Sequence, residues 1–293
     1  MRVAVTGGAG QIGSVVIEEL VKRGHTALCL DRRAPRAPVP GVKFHYVDLQ
    51  NRSQIQPIFD TVDAVCHLGE IPNPFAGGIG PEEIFATNTR IGSTVLQTAA
   101  DLKLKHFVYT STAQVYGSWG PDPVPPLFLP MDETHPVQPR NHYALGKVAN
   151  ESYAAYVSRM WGLSVSIFRL PSTFAFVSDR AMNRVERGYD SFWEMGTHLY
   201  ASDAAVAYVE AVERALPGCE TYHFTADEVA TPIPLVEGMK HTRPDWPVLP
   251  TDWPAYKCPV LTNKAKEKLG WSPKLHFREE FRKKFGRDPL MNL

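Results

Sequence analysis

Val3-Ala-Val-Thr-Gly-Gly-Ala-Gly-Gln-Ile-Gly13 decides the reading of this chain. The apolar run Arg2–Thr6 predicts a strand, and the glycines at 7, 8, 10 and 13 predict a tight turn. Val15, Val16, Leu20 and Val21 mark one face of a helix that Gly24 closes. Such a turn lets the main chain leave a strand sharply, approach a pyrophosphate closely and aim a helix N-terminus at its negative charge. Glycine clusters also build ordinary turns, so it is the strand–turn–helix setting that gives these glycines their meaning. A second strand, Ala27-Leu-Cys-Leu30, ends at Asp31, where a dinucleotide site places an acid for the ribose.

Through residue 170, short β-rich runs at 2–6, 26–30, 43–47, 64–68, 106–111 and 165–170 alternate with helical patterns. The longest helices are expected near 82–103 and 142–161. This alternation predicts an α/β fold of Rossmann type, a doubly wound parallel sheet. A helix from Ser202 to Leu216 and a short strand at Tyr222–Thr225 are expected to return to that sheet. The expected division is an NAD-binding domain over 1–170, joined by 200–226, and a small, loop-rich C-terminal substrate-binding domain over 171–199 and 227–293. Two connections, Pro72–Pro81 and Gly117–Pro139 with seven prolines from Pro121 onward, are too rich in proline and glycine for core elements. Both leave the carboxyl ends of strands, where open α/β sheets bind ligands, and are read as lids or substrate walls.

Composition narrows the partners. The 293 residues carry 31 Lys plus Arg and 31 Asp plus Glu, so no net charge favours nucleic acid or an anionic membrane. No apolar run approaches membrane-span length. Cys29, Cys66, Cys219 and Cys258 form no Cys-x-x-Cys spacing and are expected to be reduced thiols of a cytoplasmic protein. The chain opens on its first strand, so no signal or transit segment is expected ahead of the fold. No metal is expected: Cys66 and His67 alternate across a strand, and no spaced cluster with His135 or His142 supports them.

Three features carry the chemistry. His106-Phe-Val-Tyr-Thr-Ser-Thr112 is a strand that ends in hydroxyls, and Ala113-Gln-Val-Tyr-Gly117 follows it. Tyr143-Ala-Leu-Gly-Lys147 opens a helix and sets phenol and ammonium four apart on one face. The ammonium and the positive nicotinamide ring of an oxidised cofactor are both expected to lower the phenol pKa from about 10 toward the working pH. A tyrosine so poised takes a proton from a substrate alcohol as hydride leaves its carbon, with Thr112 orienting the same oxygen.

Together these residues resemble the extended short-chain dehydrogenase/reductase family, in its epimerase/dehydratase branch. The likeness runs through Thr6–Gly13, Asp31, Asp48-Leu49, His67-Leu-Gly69, Asn88 with Gly92-Ser-Thr94, and Thr110–Thr112 before Val115-Tyr-Gly117. It continues through Tyr143 with Lys147 to Thr262–Ala265 and Leu269–Pro273. It implies that Gly7, Gly10, Gln11 and Ile12 hold the pyrophosphate of NAD and Asp31 the adenosine ribose. Asp48 and Leu49 would flank the adenine, Leu68 and Gly69 line the cofactor, and Asn88 support the active-site backbone. Ser111, Tyr143, Lys147, Pro171 and Ser172 would border the nicotinamide end, with Lys147 on its ribose, Tyr143 also the acid/base and Thr112 the orienting hydroxyl. Asp31 repels a 2′-phosphate and favours NAD. Arg32 and Arg33 offer such a phosphate a grip, or are two solvated loop charges, so NADP stays open.

Departures from the family pattern narrow the reaction. The family's dehydratases resemble Thr-Asp-Glu at the end of strand five, where this chain has Thr112-Ala113-Gln114. Sugar-nucleotide epimerases resemble Arg-x-x-Asn after strand six, where this chain has Arg169-Leu-Pro-Ser172. A family arginine that meets the diphosphate aligns with Gly196, although Arg180, Arg184 and Arg187 lie upstream. His67-Leu-Gly69 and the compact C-terminal half are similar to uronate dehydrogenases. The expected activity is oxidoreduction of a free sugar, sugar acid or polyol, with sugar or nucleotide-sugar epimerisation as the alternative. Glu70, Thr112, Ala113, Gln114, Ser172 and Trp193 are the candidate substrate contacts. Glu70 is read either as a hydroxyl ligand or as a solvated loop acid, and His142 as a pocket wall. Trp119 and the pair Phe192-Trp193 wall a sugar ring or fill the core of the small domain. The resemblance also suggests a homodimer with a seam on the helices near 82–103 and 142–161; a monomer that covers those faces internally is the other reading.

Overall fold

Aliphatic and β-branched runs form the strands, and both faces of the sheet they build are covered. The computed structural model describes residues 1–120, 122–175, 185, 188 and 192–289. Its main sheet holds β1 (Arg2–Thr6), β2 (Thr26–Asp31), β3 (Lys43–Tyr46), β4 (Ala64–His67), β5 (His106–Thr112), β6 (Val165–Leu170) and β9 (Cys219–His223). They lie in the order β3-β2-β1-β4-β5-β6-β9, and every pair is parallel. The strand β1 thus sits between β2 on one side and β4 on the other, which is where a doubly wound sheet opens a crevice. A separate two-stranded ribbon pairs β7 (Thr173–Phe174) with β8 (Leu199–Tyr200).

One face is covered by α1 (Gln11–Lys22) and α5 (Ala201–Arg214), which bury Val16, Ile17, Leu20, Tyr208 and Val212. The other carries α2 (Arg52–Phe59), α3 (Pro81–Asp101) and α4 (His142–Trp161), with Ile55, Phe59, Val95, Leu96 and Val157 in its core. Helix α2 is not evident in the sequence, because its stretch is polar and contains Pro57. Asn51 starts it by accepting from the Ser53 N–H, and burial of Ile55 and Phe59 holds it down.

Two expectations shift. The strand predicted at Tyr222–Thr225 is Cys219–His223, because pairing begins directly after the left-handed Gly218 (φ 87°) and registers Cys219 on Val165. The C-terminal stretch read as loop-rich contains α6 (Leu235–Thr242), α7 (Asn263–Leu269) and α8 (Phe277–Phe285). Each is short and buries only a few apolar side chains, such as Phe277 and Phe281 one turn apart, while the prolines lie outside them. Leu235, Met239, Trp246 and Val260 join Tyr116, Trp119, Met131 and Phe192 in an apolar cluster beyond the carboxyl ends of β5 and β6. No helix of the described residues is long and apolar enough to cross a membrane.

Candidate active site

A cavity of about 830 Å³ opens along the carboxyl edge of the sheet. Gly7, Gly10, Gln11, Ile12, Asp31 and Arg32 line one end of it, followed by Leu49, Leu68 and Gly69. Ser111, Thr112, Ala113, Gln114, Tyr143, Lys147, Pro171 and Ser172 line the rest. The structure therefore brings together most residues that the sequence nominated.

The cofactor end is shaped by main chain. Gly7 is left-handed (φ 68°), and a Cβ there would stand 2.7 Å from the Leu68 carbonyl carbon. A Cβ on Gly13 would lie 2.2 Å from the Gly7 oxygen, so the first turn of α1 packs directly on the glycine turn. Gly10 begins α1 without a side-chain cap, which leaves first-turn N–H groups for an anion. Asp31 accepts the Ala9 N–H at 3.1 Å and the Arg33 N–H at 3.0 Å, which fixes its carboxylate at the cavity edge. This cradle, with an acid at the end of β2, fits NAD: close main-chain packing that no side chain would permit brings the start of α1 to the cavity, and Asp31 lines it where the ribose would lie.

Asp48 is not part of the wall. It pairs with Arg32 at 2.5 Å beside the adenine end, while its neighbours Val47, Leu49 and Gln50 form the wall. Burial pushes the Asp48 carboxyl up, but Arg32 and the Gln50 N–H together hold it below the usual range. Asn88 also lies behind the wall. Its amide clamps Ile71, accepting from the N–H at 2.8 Å and donating to the carbonyl at 3.0 Å.

At the centre, Lys147 and Tyr143 share one face of α4, and the ammonium sits 5.8 Å from the Tyr143 ring centroid. Lys147 Nζ donates to the Thr110 carbonyl at 2.6 Å. Thr112 hydrogen-bonds Tyr143 from the end of β5. The protein's own groups do not lower the phenol by themselves. Burial pushes the Tyr143 phenol up, and Glu70 and Glu194 add to that; Lys147 and Thr112 pull down without prevailing. Charge from a bound oxidised nicotinamide would add to the downward pull.

Several nominated side chains serve other ends. Ser111 lines the cavity, but its hydroxyl donates to the buried Glu151 carboxylate at 2.5 Å. Glu151 in turn binds Arg169 through two nitrogens, at 2.6 and 3.1 Å. Glu70 lines the cavity but is no solvated loop acid: its side chain is buried against Lys147 and His67. His142 is exposed and outside the cavity wall. Trp119 is both core and wall, with its indole N–H on the Thr197 hydroxyl at 2.9 Å. Phe192 packs into the apolar cluster. The Trp193 side chain, with Arg180, Arg184 and Arg187, lies outside the described residues.

Glu194 was missed. It is buried, lines the cavity and accepts the Ser172 hydroxyl at 2.5 Å, from a left-handed backbone (φ 58°). No motif marks it, and it stands 22 residues beyond Ser172. Asn150 was also missed, although its place one turn beyond Lys147 puts it on the same face of α4.

A dinucleotide cradle that opens onto a Tyr/Lys/Thr centre defines a nicotinamide-dependent oxidoreductase of short-chain dehydrogenase/reductase type. Residues 3–218 match the NAD dependent epimerase/dehydratase family, and the chain belongs to that family, whose cofactor is NAD. It is 30% identical over 174 residues to a UDP-glucose 4-epimerase of Lactobacillus helveticus, covering 58% of this chain and 51% of the relative. It is 27% identical over 316 residues to UDP-glucuronic acid decarboxylase 1 of Arabidopsis thaliana, covering 95% of this chain and 68% of the relative. The chain thus spans about half the length of that epimerase. Its fold is also that of the UDP-glucose 4-epimerase of Thermotoga maritima, with a TM-score of 0.73, 22% identity and 96% of each chain covered.

Proposed function

We propose that this protein oxidises a sugar-like hydroxyl of a free sugar, sugar acid or polyol, or reduces the matching carbonyl, with NAD as hydride carrier and the Tyr143, Lys147 and Thr112 centre. In the oxidative direction Tyr143 takes the hydroxyl proton as the carbon gives up hydride, and the product is a carbonyl. When bound, NAD supplies the hydride acceptor. Thr112 holds the reacting oxygen toward Tyr143, and Lys147 binds the nicotinamide ribose while favouring the phenolate.

The observation that carries the small-substrate reading is Ser172. The resemblance sets an asparagine there to meet a substrate diphosphate, whereas this serine gives its hydroxyl to Glu194 at 2.5 Å. Elimination of water is disfavoured, because Ala113 and Gln114 supply neither of the two acids expected of a dehydratase. Epimerisation of a sugar or nucleotide sugar is the second reading, supported by the likeness to a UDP-glucose 4-epimerase. Both reactions share the hydride step and differ in whether the keto form leaves.

Purified protein with NAD and a pool of sugars, uronic acids and nucleotide sugars, followed by proton NMR, separates them. Reduced cofactor appearing in step with a keto or lactone product is expected. A new epimer without reduced cofactor overturns the dehydrogenase reading. Leu145, Tyr156, Met160 and Trp161 are large apolar side chains exposed on α4, and they support a homodimer through that helix. A monomer mass by light scattering at working concentration removes that part of the proposal.

A further inference from the structure

Beneath the Tyr143/Lys147 centre the chain buries a carboxylate that the hydride step does not use. The Glu70 side chain, just past β4, is 2% exposed, and its Oε2 stands 2.8 Å from Lys147 Nζ. Oε1 accepts from His67 Nε2 at 3.1 Å and from Asn150 Nδ2 at 3.1 Å. The Tyr109 hydroxyl reaches the two oxygens at 3.2 and 3.3 Å. Asn150 is fixed in its turn: its amide also donates to the Asn88 carbonyl at 2.9 Å. It fits only because residue 92 is glycine, where a Cβ would stand 2.1 Å from the amide nitrogen. A carboxylate can only accept, so His67 Nε2 carries the proton, and His67 Nδ1 accepts from the Thr6 hydroxyl at 2.6 Å. The Glu70 oxygens are saturated by protein donors. A buried charge is costly unless paired, and here its ionic partner is the catalytic lysine.

Of the three Lys147 N–H bonds, one goes to Thr110 O and one to Glu70, which leaves the third for the cavity. We propose that Glu70 is a positioning residue for the acid–base pair: it fixes the Lys147 ammonium and offsets its charge, biasing Tyr143 toward the protonated phenol that donates to a substrate carbonyl. The inference rests on the reading of Tyr143 as the acid–base group.

Charged and polar groups face Tyr143 from five places: Lys147 on α4, Thr112 on β5, Glu70 after β4, Glu194 before β8 and Tyr208 on α5. Lys147 itself faces Glu70, Glu151 and His67 besides Tyr143. Lys147 and Thr112 favour the phenolate, while Glu70 and Glu194 favour the phenol. Removing the Glu70 charge therefore leaves Lys147 less opposed, and the phenol should ionise at lower pH.

The test uses the full chain, with and without NAD. The phenolate absorption of each protein is titrated against the same protein carrying Tyr143→Phe, which isolates Tyr143 from the other tyrosines among 11. In Glu70→Gln the Tyr143 midpoint should fall by about one unit, and the pH profile of kcat/KM should move the same way. An unchanged or raised midpoint overturns the proposal. If Glu70→Gln does not fold, Glu70→Gln/Lys147→Met removes both charges together. Its midpoint should then stay within about one unit of the parent, well below that of Lys147→Met alone. A double variant that matches Lys147→Met overturns the proposal as well. Turnover retained in Tyr143→Phe is a different result: it removes the acid–base reading itself, and with it the role assigned to Glu70.

Discussion

The two ends of the cavity are built by different means. At the cofactor end the shape comes from main chain: a left-handed Gly7, the uncapped start of α1, and an Asp31 carboxylate pinned by two backbone N–H groups. At the substrate end it comes from side chains carried by separate segments: Gln114 and Trp119 after β5, Ser172 after β6, and Glu194 before β8. A main-chain site recognises what all dinucleotides share, and a side-chain site is free to differ from one relative to the next. Single substitutions should therefore separate cofactor binding, chemistry and substrate selection.

The largest effect is expected where the two ends meet. Tyr143→Phe keeps the ring in its buried place and removes the proton carrier, so kcat should fall by about 10³-fold. Affinity for NAD should hardly change, because the cradle is main chain at the other end. Steady-state kinetics beside a calorimetric titration with NAD would check both. Turnover within a few-fold of the parent would show that another group moves the proton.

Asp31→Ala tests the cofactor end alone. Loss of charged hydrogen bonds to a ribose should weaken NAD by roughly 10- to 100-fold, or about 1.4–2.8 kcal/mol. NADP should weaken less, because the same change removes repulsion of a 2′-phosphate. Kinetics of the parent with both cofactors complete the test. If the parent already prefers NADP, Arg32 and Arg33 read the phosphate, and the Arg32–Asp48 pair must open to let them do so.

These same two ends differ in how far they could be read from the residues. The cradle was legible because glycine spacing constrains the backbone directly, and Asp31 because it ends a strand. Lys147 was legible from helical spacing to Tyr143, and the Asn88 support from its place in the family pattern. The balance of the protein's own groups on Tyr143 was not, because burial outweighs Lys147, and burial depends on what the whole chain packs around the ring. Glu70 could not be oriented from the sequence, since its partners lie on β4, β5 and α4. Glu194 comes to Ser172 only through the pairing of β7 with β8, a contact no local pattern predicts. Helix α2 escaped for a related reason: it is polar and holds a proline, and two buried side chains decide it.

Ser172→Ala is the smallest change and the one that isolates the substrate end. The Ser172 hydroxyl holds Glu194 at 2.5 Å, and Glu194 and Met195 follow in left-handed backbone at φ 58° and 51°. Removing one such hydrogen bond is worth about 1 kcal/mol, so KM for the substrate found by NMR should rise roughly fivefold. NAD affinity should stay where it was, because the glycine turn and Asp31 make no contact with that hydroxyl. The pocket-lining Pro171 lies beside Ser172 in sequence, so a disturbance of the backbone rather than of Glu194 would reach the nicotinamide end. Equal losses for substrate and NAD would show that kind of disturbance and would end the division of the cavity into independent halves. A loss confined to the substrate would make Glu194 the place to look for what this protein selects.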